Sequence, residues 1–275
     1  MAKNFFRMKK LFLFALCMMA WVTCNAQEYF EGTLKARSFE NYGGDYERAS
    51  GGMMINGVRD VEYHIKGSKI AIIDHTSGIN TIYDAGAEQA VFFVFTNINK
   101  VIRMPFSYVN QIKIGKEVEP TPTDVRKTVG GKECRLYTVD TEVKEKGRKT
   151  HFKIDAYVCD ELPINPVLQA YNNFNNGACN GVPGVAMKYV VQQNISSLAF
   201  ATNFHVAYEV HEVIPCQVDD SIFEIPAGAQ IVDGTKPMKM MAVYNENYKI
   251  ILKNREGQEA ADPAIKFDVD EEWDF

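Results

Sequence analysis

The sequence lacks the short motifs by which common catalytic sites are recognised. It contains no G-x-S-x-G nucleophile elbow and no H-E-x-x-H zinc-peptidase motif. The glycine-rich segment 41–57 is followed by no P-loop lysine, and no Rossmann spacing of glycines occurs. These absences favour a protein that is not an enzyme, and they predict no cofactor. A hydrolase whose site is assembled from distant residues is a weaker alternative.

Long apolar runs are also scarce. Beyond residue 26 the longest is Ala90–Phe95, far shorter than the roughly 20 residues that a membrane-spanning helix needs. The sequence therefore predicts no transmembrane segment after residue 26.

The N-terminus has the pattern of an export signal. Lys3–Lys10 contains four basic residues, Leu11–Val22 is apolar, and small residues follow at Cys24-Asn25-Ala26. This pattern predicts that residues 1–26 form a signal peptide cleaved before Gln27, and lipidation of Cys24 is an alternative. We expect the protein in the periplasm, at the outer membrane or outside the cell.

Basic residues do not dominate the rest of the chain. Removal of the signal peptide takes the formal net charge from −5 to −9, because it contains four basic and no acidic residues. An acidic protein does not neutralise phosphate, so nucleic acid is not an expected partner.

Cysteine is limited to four residues after residue 26: Cys134, Cys159, Cys179 and Cys216. An even number in an exported chain predicts disulfides, with three possible pairings. The spacing of the four matches no zinc site. The hairpin described next favours a Cys134–Cys159 pair, which leaves Cys179–Cys216.

A long β-hairpin is predicted over Gly130–Pro163, with its turn at Lys146-Gly147. In this register Cys134 faces Cys159, and cross-strand partners agree in character, which stabilises antiparallel pairs. The predicted pairs are Leu136 with Tyr157, Tyr137 with Ala156, Thr138 with Asp155, Val139 with Ile154, Asp140 with Lys153, and Thr141 with Phe152. Lys144 opposite Lys149 fits poorly, so a shifted register near the turn is an alternative.

Alternating or continuously apolar segments predict further strands on both sides of this hairpin. They are Glu28–Phe39, Val61–Lys66, Lys69–Asp74, Ile79–Tyr83, Ala90–Phe95, Lys100–Met104, Met187–Gln193, Phe204–Val213 and Ser221–Ile231. Glu117–Thr123 is predicted to be a proline-stiffened connection. Val167–Asn176 has apolar residues at helical spacing and is predicted to form a helix, either a fixed lid or a mobile gate.

The fold predicted from these elements is mainly β: a half-open antiparallel barrel or strongly curved sheet with one or two short lid helices. Residues 27–233 form this β-rich domain, and residues 234–275 form an extension with an acidic tail. Met238–Leu252 is left as an edge strand or a short helix.

Histidine is rare, and three polar residues on one predicted strand face are the main metal candidates. His205 and His211 flank Glu209 on alternate positions of Phe204–Val213. Alternate residues lie about 7 Å apart, so a solvated face explains them better than a metal site. No metal is predicted.

Several segments together resemble LolA-like periplasmic proteins, closest to their uncharacterised secreted relatives of the GLPGLI type. They are Gly130–Cys134, the hairpin end Tyr157–Pro163, the step Asn180–Met187 and the run Asp219–Pro226. The resemblance spans about residues 28–233. It implies a half-open barrel around a concave apolar face, covered by helices, that carries lipid or lipoprotein acyl chains.

The predicted function is non-catalytic binding of a lipid or another hydrophobic ligand. Alternate residues of central strands are the predicted lining: Ile70, Ile72, Phe93, Phe95, Tyr137, Val139, Phe152 and Ile154. The alternative is an envelope scaffold or interaction module, in which these residues fill a packed interior and another envelope protein is the partner.

Overall fold

The computed structural model describes residues 29–44, 57–109, 120–145, 147–165, 184–196 and 201–261. Within these ranges the chain forms one twelve-stranded sheet and two α-helices. The strands are β1 (Gly32–Gly44), β2 (Gly57–Lys66), β3 (Lys69–Asp74), β4 (Ile79–Asp84), β5 (Ala90–Phe95), β6 (Lys100–Pro105), β7 (Thr121–Val129), β8 (Lys132–Glu145), β9 (Arg148–Cys159), β10 (Val185–Ser196), β11 (Ala201–Pro215) and β12 (Gln230–Asp233). The helices are α1 (Phe106–Val109) and α2 (Pro237–Ala261). The protein is mainly β, as predicted.

The first strand lies in the middle of the sheet. The strand order is β12-β6-β5-β4-β3-β2-β1-β11-β10-β9-β8-β7. All neighbours are antiparallel except β12, which runs parallel to β6. The sheet therefore contains two runs, β2 to β6 and β7 to β11, in which strands that follow one another in sequence are also neighbours in space. Strand β1 lies between the two runs and pairs with β2 on one side and β11 on the other. The sheet does not close, because β12 and β7 remain at its edges.

The predicted hairpin is confirmed in its register. Strands β8 and β9 pair Leu136 with Tyr157, Val139 with Ile154, and continue to Glu145 opposite Arg148. The lysine misfit is accommodated without a shift, because Glu142 accepts ion pairs from both Lys144 and Lys149.

The sheet has one face that we call the inner face, on which Leu34, Tyr63 and Tyr208 lie in the main core cluster. The opposite, outer face carries a second core cluster at β3–β6, where Phe92 and Val94 pack against Val218 and Phe223. Strand β5 is consequently covered on both faces, as its continuously apolar sequence predicts.

The sheet bends towards its inner face. A methyl group built on Gly130, directly after β7, would lie 3.2 Å from Val210 Cγ1 on β11. Strands β7 and β11 are separated by three strands in the sheet order. Such an approach requires strong twist and curvature between them.

The predicted strand Ser221–Ile231 is wrong over most of its length. The Asp219 carboxylate accepts a hydrogen bond from the Ser221 amide at 2.8 Å, and a 3₁₀ turn follows over Asp220–Phe223. Aspartate is a favoured residue at this capping position because its oxygen satisfies a free amide. Only Gln230–Asp233 forms a strand.

The connection Glu117–Thr123, predicted to be extended and proline-stiffened, leads into the edge strand β7, which begins at Thr121. Pro122 has no amide hydrogen to donate, which an edge strand tolerates. The pairing with β8 is irregular between Pro122 and Arg126.

The region after residue 233 contains the long helix α2 rather than an edge strand or a short helix. Met240, Val243, Tyr244, Asn247 and Ile251 recur at helical spacing along the side that packs on the sheet. Among the described residues, no helix combines the length and apolarity needed to span a membrane. The predicted signal peptide, the helix Val167–Asn176, most of the glycine-rich loop and the acidic tail lie outside the described residues.

Candidate functional site

The eight predicted lining residues lie in two groups on the inner face. Ile70, Ile72, Phe93 and Phe95 are on β3 and β5, and the other four are on β8 and β9. Within the first group, Ile72 and Phe93 both face Thr81 of β4, which lies between their strands. In the second group, Val139 is opposite Ile154. Ile154 is in turn opposite Val191 of β10, and Val191 is opposite Val206 of β11, so the four side chains form a row across the sheet.

The predicted residues differ in how deeply they are buried. Ile70, Val139 and Ile154 belong to the main core cluster and are almost completely buried. Ile72, Phe93 and Tyr137 pack against this cluster but remain partly exposed. Phe152 is also partly exposed. The buried residues Ile70, Val139 and Ile154 therefore form the base of the inner face, which we call its floor. The four partly exposed residues form the surface that is accessible from outside.

Phe95 is the most deeply buried of the eight predicted residues. It is fully buried beneath α2, where the Tyr244 ring meets it edge-on with centroids 5.0 Å apart. Tyr244 also lies 6.4 Å from the Phe93 ring. Burial raises the pKa of Tyr244 to about 12. One end of the inner face is thus covered by the C-terminal helix.

A tyrosine cluster lies between the two groups and was not recognised from the sequence. The Tyr208 ring stacks on Tyr189 with centroids 4.9 Å apart and meets Tyr63 edge-on at 5.5 Å. These side chains come from β11, β10 and β2. The alternation of Phe204–Val213 places Tyr208 on the inner face, but only the long-range pairing of β1 with β11 brings it near Tyr63.

The Tyr208 hydroxyl is buried without a hydrogen-bond partner among the described residues. Burial raises the pKa of Tyr208 well above its ordinary value. Tyr63 lies close enough to the Tyr208 hydroxyl to raise its pKa further. A neutral phenol therefore lies in the apolar centre of the inner face.

A network of charged groups lies at one end of this face. Arg59 forms ion pairs with Glu40 and with Asp74, the latter at 3.0 Å. The Asp74 carboxylate also accepts hydrogen bonds from the Thr76 and Ser77 amides and from the Ser77 hydroxyl. This network fixes the turn between β3 and β4.

Cys134 and Cys159 are neighbours in the core and both are thiols in the structure. A hydrogen bond between the two side chains lowers the pKa of Cys159 and raises that of Cys134. The predicted disulfide between them stays a prediction. For the second predicted pair, Cys216 is exposed after β11, and Cys179 lies outside the described residues.

The histidine candidates do not form a metal centre in the described part of the chain, where no suitable group of three ligands occurs. His205 lies against the Phe39 ring with centroids 6.0 Å apart, and burial lowers its pKa. His211 is exposed.

Two surface cavities, of about 600 and 510 Å³, are present among the described residues. The larger lies between α2 and the turns that follow β3 and β5, and the smaller lies over the outer face of β1, β2 and β11. None of the eight predicted lining residues borders either cavity.

The chain matches no protein-family model, and no curated protein matches it.

Proposed function

We propose that this protein is an exported, non-catalytic carrier that binds an acyl chain on the inner face of a LolA-like half-barrel. The observation that supports this proposal is the incomplete burial of Ile72, Phe93 and Tyr137 on the inner face of a sheet that does not close. Large apolar side chains that remain accessible beside a core are typical of ligand-binding surfaces.

The buried floor residues and the accessible residues contribute to binding in different ways. Ile70, Val139 and Ile154 are held by the core, so they give the surface a fixed shape. The accessible Phe93 and Tyr137 supply the area that an acyl chain removes from water. Burial of apolar surface contributes about 25 cal/mol per Å², from which the cost of ordering the chain is subtracted.

Helix α2 gives this surface a closed end. Its Tyr244 covers Phe95 and touches Phe93. A bound chain would begin at Tyr244 and extend towards Tyr137, past the tyrosine cluster. In this proposal the helix takes the covering role that the sequence assigned to Val167–Asn176.

The first test is native mass spectrometry of the mature protein purified from the periplasm, combined with extraction of lipids. We expect a copurifying acyl species. In parallel, an uncharged fluorescent probe, N-phenyl-1-naphthylamine, should bind and be displaced by oleate. Phe93→Ser and Tyr137→Ser should each weaken probe binding by about tenfold, because each removes roughly 1.4 kcal/mol or more of apolar contact.

The matched control is Ile231→Ser on the edge strand β12, where the isoleucine is 54% exposed and pairs with Val101 of the outer-face cluster. It should leave binding unchanged. A protein that carries no lipid and does not bind the probe would overturn the proposal, as would equal effects of all three substitutions. Circular dichroism would establish that the variants remain folded.

The alternative function is a protein-interaction module, and the edge strand β7 favours it. Eight of its nine residues are not buried, so its backbone is accessible for pairing with a strand of a partner. Copurification of a stoichiometric protein without lipid, lost when Arg126→Pro blocks the edge, would favour this function instead.

A further inference from the structure

The larger cavity is a cleft on the opposite side of the sheet end from the acyl surface. It lies between the last described turns of α2 and the turns that follow β3 and β5, and its volume is about 600 Å³. This volume is within the range of small-molecule sites. Its polar lining is mostly amide and hydroxyl side chains, with one carboxylate and one imidazole: Thr76, Asn80, Thr96, Asn97 and Asn254, together with Asp74 and His75.

The cleft presents no uncompensated charge. Among the described residues that line the cleft, Asp74 is the only Asp, Glu, Lys or Arg side chain. Its carboxylate is buried and accepts hydrogen bonds from the Thr76 amide at 2.8 Å, the Ser77 amide at 2.9 Å and the Ser77 hydroxyl at 2.7 Å. Arg59 on the other side completes its pairing at 3.0 Å. Apart from the exposed imidazole of His75, an ionic ligand therefore finds no uncompensated counter-charge among the described residues of the cleft.

Hydrogen bonds hold the walls of the cleft in place. Asn247 of α2 is buried, donates to the Ser77 carbonyl at 3.2 Å and accepts from Asn97 at 3.0 Å. The Thr96 hydroxyl donates to the Gly78 carbonyl at 3.0 Å, which joins the two turns. The cleft is consequently assembled before any ligand enters, which reduces the cost of binding.

Two isoleucines give the cleft an apolar side. Ile251 of α2 is buried and Ile73 of β3 is partly buried, and both border the cavity. Amide side chains offer a donor and an acceptor each, and hydroxyls offer both. A ligand that complements this surface carries several neutral hydroxyl groups and a face of C–H groups.

We propose that this cleft binds an uncharged carbohydrate unit the size of a mono- or disaccharide. The proposal is independent of acyl binding, because the cleft contains none of the residues assigned to the acyl surface. It adds a second ligand class, and a protein with both sites would contact a lipid and a neutral glycan at once.

The test is saturation-transfer difference NMR on the full mature protein with N-acetylglucosamine, maltose and cellobiose as neutral probes. Glucosamine and glucuronate are the charged counterparts. We expect at least one neutral saccharide to bind with a dissociation constant of about 10 mM or tighter, and its charged counterpart to bind more weakly. Absence of transfer to all three neutral probes would overturn the proposal.

Substitutions of cleft residues test whether the saccharide binds in this cleft. Asn80→Ala and Asn254→Ala should each weaken the observed saccharide by about tenfold, the effect of one lost hydrogen bond. Asn254 is exposed on α2, so its substitution leaves the fold intact even if Asn80→Ala does not. Asn245→Ala, on the same helix but outside the cleft, is the matched control. If Asn80→Ala and Asn254→Ala both leave the saccharide affinity unchanged, the assignment of saccharide binding to this cleft is wrong.

Discussion

The side-chain oxygen of Asn247 accepts a hydrogen bond from the Asn97 amide at 3.0 Å, across 150 positions of the sequence. The Asn247 amide in turn donates to the Ser77 carbonyl. One buried polar side chain therefore connects helix α2 to the turns that follow β3 and β5.

Asn247→Ala should loosen α2 from the sheet. The substitution leaves the Ser77 carbonyl and the Asn97 amide without their buried partner, and we expect a loss of about 2 kcal/mol. Hydrogen exchange of the amides around Val243 and Ile251 would measure it, because local opening of the helix exposes them. Asn245→Ala is the control on the same helix. Unchanged protection in Asn247→Ala would contradict the role assigned to this side chain.

Tyr208→Phe should stabilise the protein. The hydroxyl is buried with no hydrogen-bond partner among the described residues, so its removal relieves an unfavourable desolvation. We expect the free energy of unfolding in urea to rise by about 1 kcal/mol. A decrease of similar size would show instead that the hydroxyl is satisfied by an ordered water molecule.

Gly184→Ala should be among the most damaging single substitutions. Gly184 has φ +92°, and a methyl group there would overlap the carbonyl oxygen of Cys159 on the neighbouring strand. We expect a loss above about 3 kcal/mol, since strain and steric overlap combine. Gly131→Ala is the matched control, because its φ of +76° is similar but the space around it is open. It should cost about 1 kcal/mol. Equal losses in the two variants would refute the steric argument.

Acidification should destabilise the fold through two histidines. Burial lowers the pKa of His64 and of His205 below the ordinary 6.5. The unfolded chain then binds more protons than the folded one as the pH falls through 6.5, so the free energy of unfolding decreases towards the lower, folded pKa. Urea unfolding at about pH 7.5 and 5.5 would measure the difference. His64→Gln should reduce it, whereas substitution of the exposed His211 should not.

The Cys134–Cys159 disulfide should form when the mature protein is oxidised. The two thiols are adjacent in the core, and their hydrogen bond lowers the pKa of Cys159, which favours the thiolate that disulfide formation needs. A mass lower by two hydrogens, abolished by Cys134→Ser, would demonstrate the bond. We expect it to add about 3 kcal/mol to the free energy of unfolding. A fully reduced protein after oxidation would contradict the prediction.

Local patterns in the sequence were sufficient to predict the hairpin register and strand β5. Agreement between facing side chains, such as Val139 with Ile154, specifies an antiparallel pair that is close in sequence. The strands of the β2–β6 run were predicted for the same reason, and their boundaries differ by a few residues.

Features that depend on long-range contacts were missed. Ser221–Ile231 has a strand-like composition, but Ile222 and Phe223 pack on the outer face of β3–β6 instead. Helix α2 has a weakly apolar stripe that includes Asn247, whose burial depends on Asn97 and Ser77. The tyrosine cluster depends on the pairing of β1 with β11, for which neither strand carries a local signal.

The central place of β1 sets the order in which the fold can be completed. Residues 32–44 leave the ribosome early, but their partner on one side, residues 201–215, is made more than 150 residues later. Until then one side of β1 is an unpaired edge, which is the kind of surface through which incomplete chains aggregate. Nascent or truncated forms that end before residue 201 should therefore depend on a chaperone, whereas the full chain protects β1 on both sides.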